Sequence, residues 1–215
     1  GTGKSRLCHE LLQLCGKGIP EQWRKNAVGY APKNKLQLFS PATSPAPTEA
    51  PPGQQSGDDD QLKLTKEEID ALSEALKSTI PIFVTFNFLS NYDAALDTSA
   101  EMAVALRILA SYFLDLTTPV DNTPYLKFAK MLFGPLRELK SPVRLALEVV
   151  KLNEDSSEEL KSMHRSTMML CVDEITKFRG ENGPADVSHV IGDIFSTPNP
   201  FFYFPLETTL DTVFM

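Results

Sequence analysis

The residues at the start of the chain, Gly1-Thr2-Gly3-Lys4-Ser5-Arg6, have the types and spacing that hold phosphate. Gly1 to Ser5 match the last five positions of G-x-x-x-x-G-K-[ST], so the first glycine of that loop and the strand before it would lie upstream of residue 1. Glycine lets successive backbone N–H groups converge on one concavity. The helix that follows offers its positive end, Lys4 reaches the β/γ-phosphates, and the Ser5 hydroxyl is placed to ligate Mg²⁺. A glycine-rich terminus with no ligand is the alternative reading of these residues alone.

A second run supplies the acids. Met168-Met169-Leu170-Cys171-Val172 is apolar without a break and ends in Asp173-Glu174. This pattern fits a strand buried on both faces of a parallel sheet. Ligands bind at the carboxyl edge of such sheets, where Asp173 can hold Mg²⁺ through water and Glu174, facing the other way, can polarise an attacking water. The competing reading is a core strand that ends in two solvated acids. A phosphate loop followed by an acidic strand favours the nucleotide.

The elements that must position these groups follow from patterning. Lys4 to Cys15 reads as a short amphipathic helix with Leu7, Leu11 and Leu14 on one stripe and Gly16 just past its end. Cys8 and Cys15 are expected to be small core residues, and Trp23 is expected to pack against the domain. Residues 40–60 hold five prolines and no Leu, Ile, Val or Phe, the composition of a disordered surface insertion. The Asp58-Asp59-Asp60 run within it reads as solvated charge. Thr65 to Glu68 is a capping box, and Ile69, Leu72 and Leu76 continue its helix. Pro81 to Asn87 reads as a strand. Thr98-Ser99-Ala100-Glu101 opens a helix with Met102, Ala105, Leu106, Leu109 and Phe113 inward. Three further helical patterns fill 124–164, and the acidic strand follows. Asp186 to Phe195 reads as a helix, and residues from Phe201 onward as a strand near Thr208 and Thr209. Alternating strands and helices predict a parallel sheet covered by helices.

Composition sets bounds. A chain of 215 residues with 42% hydrophobic content can bury one moderate core. No window of membrane-spanning length is uninterrupted by polar residues, so no membrane partner is expected. Net charge −7 argues against a generic nucleic-acid surface, while leaving a local basic groove open. Cys8, Cys15 and Cys171 share no metal or disulfide spacing with one another or with His9, His164 and His189, which points to an intracellular, reducing compartment. Opening inside a loop motif and ending at Thr212-Val213-Phe214-Met215, the chain reads as a fragment, so the absence of a targeting segment in it carries no information.

Four segments carry a family resemblance: Gly1-Thr2-Gly3-Lys4-Ser5-Arg6-Leu7, Ile82-Phe83-Val84-Thr85-Phe86-Asn87, Ala105-Leu106-Arg107-Ile108-Leu109-Ala110-Ser111-Tyr112-Phe113 and Leu170-Cys171-Val172-Asp173-Glu174. Together they resemble the P-loop NTPase domain of Crinkler effectors and the related retrotransposon-hot-spot proteins. The resemblance spans most of the chain apart from 20–62, and the second and third segments are its more specific part. It implies an α/β fold: a three-layer, AAA-like or STAND-like P-loop NTPase with a parallel sheet, cut at its N-terminus. A helical block would separate the two nucleotide motifs, and an extra strand would lie between the loop strand and the acidic strand. Residues 1–215 would be a fragment of one such domain. By carry-over, Gly1, Thr2, Gly3, Lys4, Ser5 and Arg6 bind ATP, Ser5 and Asp173 hold Mg²⁺, Glu174 is catalytic, and Thr209 belongs to the sensor region. The resemblance further implies a nuclear location, in the protein's own or a host cell, and a fused effector domain or protein partner. It leaves homo-oligomerisation open.

Two features depart from that pattern: a long interval between Lys4 and Asp173, and Pro205 within a strand that should be central. Arg107 reads either as an arginine finger or as a side chain paired with an acid, and Asn87 as a polar sensor or a turn residue. The functions in competition are an ATP hydrolase, a nucleotide switch without turnover, a small-molecule kinase and a non-enzymatic helical adaptor.

Overall fold

The computed structural model describes residues 10, 13–28, 65–87, 90–114, 123–158, 165, 167–197 and, as backbone, 202–208. Residues 1–6, the Pro-rich stretch 40–60 and Thr209 lie outside them. The fold is mixed α/β. Its elements are α1 (Glu21–Ala27), α2 (Lys66–Lys77), β1 (Thr79–Thr85), α3 (Ala100–Phe113), α4 (Thr123–Arg137), α5 (Pro142–Ser156), β2 (Thr167–Asp173), a short 3-10 turn (Ile175–Lys177), α6 (Pro184–Ser196) and β3 (Phe202–Thr208). They group into two compact units, one of residues Ile19–Ser73 and the other of Gly1–Gly18 with Glu74–Met215.

In the smaller unit the capping box forms as the sequence predicts. Thr65 donates its N–H to Glu68 Oε2 (2.8 Å), and Glu68 returns its N–H to Thr65 Oγ1 (3.2 Å). The predicted apolar stripe is half right. Ile69 is buried, but Leu72 is 54% exposed and Ser73 takes the inward place, accepting the Ile19 N–H at 2.9 Å. Trp23 is likewise 54% exposed, against the expectation that it packs inward. What holds α1 instead is polar: the Arg24 guanidinium meets Asp70 at 3.0 Å.

The larger unit is built on three parallel strands in the order β1-β2-β3. β1 starts and stops two residues earlier than its predicted span, and Asn87 falls outside it. β2 is the expected buried run, with every residue from Met168 to Asp173 inaccessible. Gly16, with φ +75°, follows the helical residues Gln13 and Leu14, and its N–H reaches the Leu76 carbonyl at 2.9 Å.

Proline placement follows from ladder alternation. The Phe86 N–H donates to the Asp173 carbonyl (3.3 Å), so even positions of β1 face β2 and odd ones face outward. Pro81 is odd, and its missing donor is on the outer edge. Odd positions of β2 therefore face β1 and even ones face β3. Pro205 stands opposite Leu170, an even position, so it faces away from β2 and the ladder runs through it intact. Neither a bulge nor a later strand start is needed.

α3 is the hub. Its first turn is capped by Ser99, whose hydroxyl accepts the Met102 N–H (3.1 Å), one residue later than the box starting at Thr98 would place it. Ala100 and the nine consecutive residues from Met102 to Ala110 are buried, with Glu101 partly exposed between them, as expected of a helix packed all round. It lies against β1, α4, α5 and α6. Phe113, predicted inward, is 45% exposed at its end.

Candidate functional site

Thr85, Asp173 and Thr208 are level across the sheet, so all three strands end at one carboxyl edge. Asp173 closes the middle strand and is 3% exposed. The chain then turns sharply. Glu174 adopts φ 55°, ψ 35°, the one left-handed non-glycine among the described residues. That conformation disfavours a residue with a Cβ by about 1–2 kcal/mol, and such outliers gather at functional sites. It takes Glu174 out of the strand before Ile175–Lys177 winds into its 3-10 turn, and the carboxylate is held by Lys177 Nζ at 2.6 Å.

Beside Asp173, the end of β1 is fixed by Arg107 from α3, 1% exposed. Its Nε donates to the Thr85 carbonyl (2.9 Å), and its two terminal nitrogens fork onto Asp97 at 2.7 and 3.0 Å. They also reach the carbonyls of Ala103 (2.9 Å), Ser90 (2.7 Å) and Asn91 (3.2 Å). Every N–H of the guanidinium is used, and the Phe86 and Tyr125 rings flank it at 4.1 and 5.1 Å. Arg107 is thus the structural arginine paired with an acid, and nothing of it is left to act as a finger. Ser90 Oγ adds a second bond to the Thr85 carbonyl at 2.5 Å. Asn87 is half-buried, its N–H on Thr85 Oγ1 at 3.2 Å.

The two specific segments of the resemblance therefore meet in space: Thr85-Phe86 on one and Arg107 on the other. Below them Phe178 stacks edge-on against Phe86 (5.7 Å) and Tyr92 (5.4 Å). A side chain on Gly180 would come within 2.3 Å of the Phe178 ring, so glycine is what lets the ring lie there. Asp97, Ser90 and Phe178 were not singled out from the sequence. Their partners, the Arg107 guanidinium, the Thr85 carbonyl and the Phe86 and Tyr92 rings, are brought close by the fold, although Asp97 sits directly before the predicted helix start.

Both described thiols are buried. Cys15 is buried with its Sγ 3.7 Å from Met169 Sδ, and burial pushes its pKa up to about 11. Cys171 is buried in β2. Lys4, Ser5 and the rest of the phosphate run lie outside the described residues, so the edge is seen from its acidic side. Among the described residues no three His, Cys, Asp or Glu side chains gather as metal ligands. No described helix is long and apolar enough to cross a membrane. Comparison with protein families, with curated proteins and with solved structures finds no match for this chain.

Proposed function

We propose that this chain is the nucleotide-binding module of a Mg²⁺-dependent ATPase resembling the Crinkler and retrotransposon-hot-spot NTPases. The observation that carries the reading is Asp173, buried at the carboxyl end of the middle strand of a parallel sheet and followed at once by a left-handed Glu174. A P-loop NTPase needs one such carboxylate. Its remaining Mg²⁺ ligands come from the loop hydroxyl, here Ser5, from phosphate oxygens and from water, so a three-residue metal cluster is not required. Bound Mg²⁺ would neutralise charge on the phosphates. Lys4 shares that task, Asp173 orients the metal's water shell, and Glu174 aligns the attacking water.

Strand order supports the same reading. The resemblance calls for an extra strand between the loop strand and the acidic one, and β3 pairs with β2 on the side opposite β1. The outer edge of β1 is closed to further pairing. Pro81 has no donor, the Phe83 N–H is taken by Ser111 Oγ (2.7 Å), and the Thr85 carbonyl is taken by Arg107 and Ser90. A strand delivering the loop would then pair at β3, forgoing one ladder bond at Pro205.

One contact favours a second reading. Lys177 holds the Glu174 carboxylate at 2.6 Å, which suits a switch that binds nucleotide without turning it over. The two readings separate in a chain carrying the complete phosphate loop. Lys4→Ala should abolish ATP binding measured by calorimetry. Glu174→Gln should keep binding and lose phosphate release, because Glu174 acts on the water only as the transition state forms. Turnover unchanged in Glu174→Gln would end the hydrolase reading. Turnover that appears only in Lys177→Ala would make the ion pair a latch and favour the switch. The fused effector domain and the nuclear location follow from the resemblance, and the complete reading frame tests both.

A further inference from the structure

α4 turns its apolar side inward and a row of cations outward. Tyr125, Ala129 and Leu136 are buried, while Lys127, Lys130 and Arg137 are exposed on the opposite side, within about 80° of arc of one another. Lys140, also exposed, follows in the turn beyond the helix. Between Asp121 and Glu148 the sequence holds five cations and one acid, Glu138, in a chain whose net charge is −7.

Lysines elsewhere in the described residues show what is missing here. Lys25, Lys77, Lys151 and Lys177 each hold a carboxylate three or four residues away, at 2.9, 2.5, 2.8 and 2.6 Å. α4 contains no acid, and among the described residues Lys127, Lys130 and Arg137 enter no ion pair. Lys127 and Lys130, three apart, repel one another instead. Nothing in the described fold offsets that repulsion, whereas an anion from outside would.

The rest of the face selects the kind of anion. The apolar side of α4 is committed to the core, which leaves Met131, 66% exposed, as the large apolar group on its outer face. The helix therefore cannot lie in a membrane interface with an apolar side down. Protein interfaces are built on aromatic anchors and are poor in lysine, but Phe128 and Phe133 are half-buried against the core. The same burial removes the stacking platform that a single strand needs. A duplex backbone needs only spaced cations. Lys127 to Arg137 covers about 15 Å of helix, a length over which one strand of a duplex offers about four phosphates. Gly134, exposed between them, leaves open space above the helix backbone.

We infer that the outer face of α4, with Lys140 beyond it, binds the phosphate backbone of a nucleic-acid duplex without reading its sequence. The site is independent of the nucleotide reading, since it needs neither Asp173 nor a phosphate loop.

Fluorescence anisotropy of a short labelled duplex, titrated with the chain at about 50 and 200 mM salt, tests the site. Affinity should fall on the order of a hundredfold between the two, from the log–log slope of about −3.6 that four phosphate contacts give. Lys127→Gln, Lys130→Gln and Arg137→Gln should each weaken binding severalfold and bring the slope about one unit nearer zero, without lowering Tm. Glu138→Gln should strengthen binding, because it removes the negative charge beside the row. Lys77→Gln makes the same change of net charge at a paired lysine and should leave the slope where it was. Equal losses in Lys77→Gln and the face variants would mean that net charge alone is at work, and would overturn the proposal. So would a slope that no face variant changes, or no binding at the lower salt. Tighter binding to phosphatidylserine vesicles or to polyglutamate than to the duplex, lost in the same variants, would give the face to a membrane or an acidic protein and overturn it too.

Discussion

At the residue scale, Arg107 and Glu101 are opposite cases: a charge taken wholly from water and one taken only in part. Arg107 has every donor matched and two rings over its faces, whereas Glu101 is left with one oxygen unmatched. Removing one partner of a buried ion pair leaves the other uncompensated, a loss of about 3–5 kcal/mol. Arg107→Ala and Asp97→Ala should each fall in that range by chemical denaturation, and the double variant should lose less than the sum of the two. Arg107→Lys should not rescue, because an ammonium cannot span the Thr85, Ser90 and Asn91 carbonyls together with both Asp97 oxygens. For Glu101 the sign reverses. Its folded pKa lies above the unfolded value, so the folded state binds the extra proton and stability declines as pH rises through that window. Above it the folded chain bears an unfavourable carboxylate, and below the unfolded pKa there is no difference. Glu101→Gln should therefore raise Tm at pH 7 and leave it unchanged near pH 3, as paired thermal melts would show. Sequence reading reached Asp173 and Glu174 because an apolar run ending in acids is a local signal. It left Arg107 between two meanings, since the partners that decide between them lie 10 to 22 residues away.

At the scale of elements, the sequence is most informative where period and composition agree. The runs at β1, β2 and β3 are rich in β-branched, aromatic or long apolar residues, and each becomes a strand. Helices after Thr65, Ser99, Ser141 and Gly183 start within a residue or two of their caps or prolines. Errors come where a helix meets solvent. Leu72 lies one position off the stripe that Ile69, Ser73 and Leu76 bury, and Phe113 stands at the exposed end of α3; no local signal reports which face the fold covers. Edge chemistry was equally hidden. Ser111 reads as one more small residue on α3, yet it accepts the outward Phe83 N–H. Ser111→Ala should lower stability by about 1–2 kcal/mol by leaving that donor half-buried and unpaired, and it should reopen β1 to strand addition. Size-exclusion chromatography with light scattering checks the second effect: the variant should associate at concentrations where the parent chain does not.

At the scale of the whole molecule, burial is distributed unevenly, and this sets how the protein should come apart. The core cluster runs from β1 and β2 through α3 to α4, α5 and α6, with Ala103 to Leu106, Ile82, Val84 and Val187 all but fully inaccessible. Within the unit Ile19–Ser73 the described residues contribute little of that kind: Ile69 and Ser73 are buried, while α1 is exposed along most of its length and tied by one partly exposed ion pair. Such a pair contributes about 0–1 kcal/mol. Local opening free energies track buried apolar contact, so the two units should not share one protection level. In native-state hydrogen exchange, amides of β2 and of α3 from Ala103 to Ala110 should exchange only through global unfolding, with rates that climb steeply in urea. Amides of α1 should exchange through local opening, with rates nearly flat in urea until the main transition. If instead α1 joined β2 on a single urea-dependent isotherm, the division into two units would have no energetic counterpart. The weak burial of α1 would then have to be offset by packing outside the described residues.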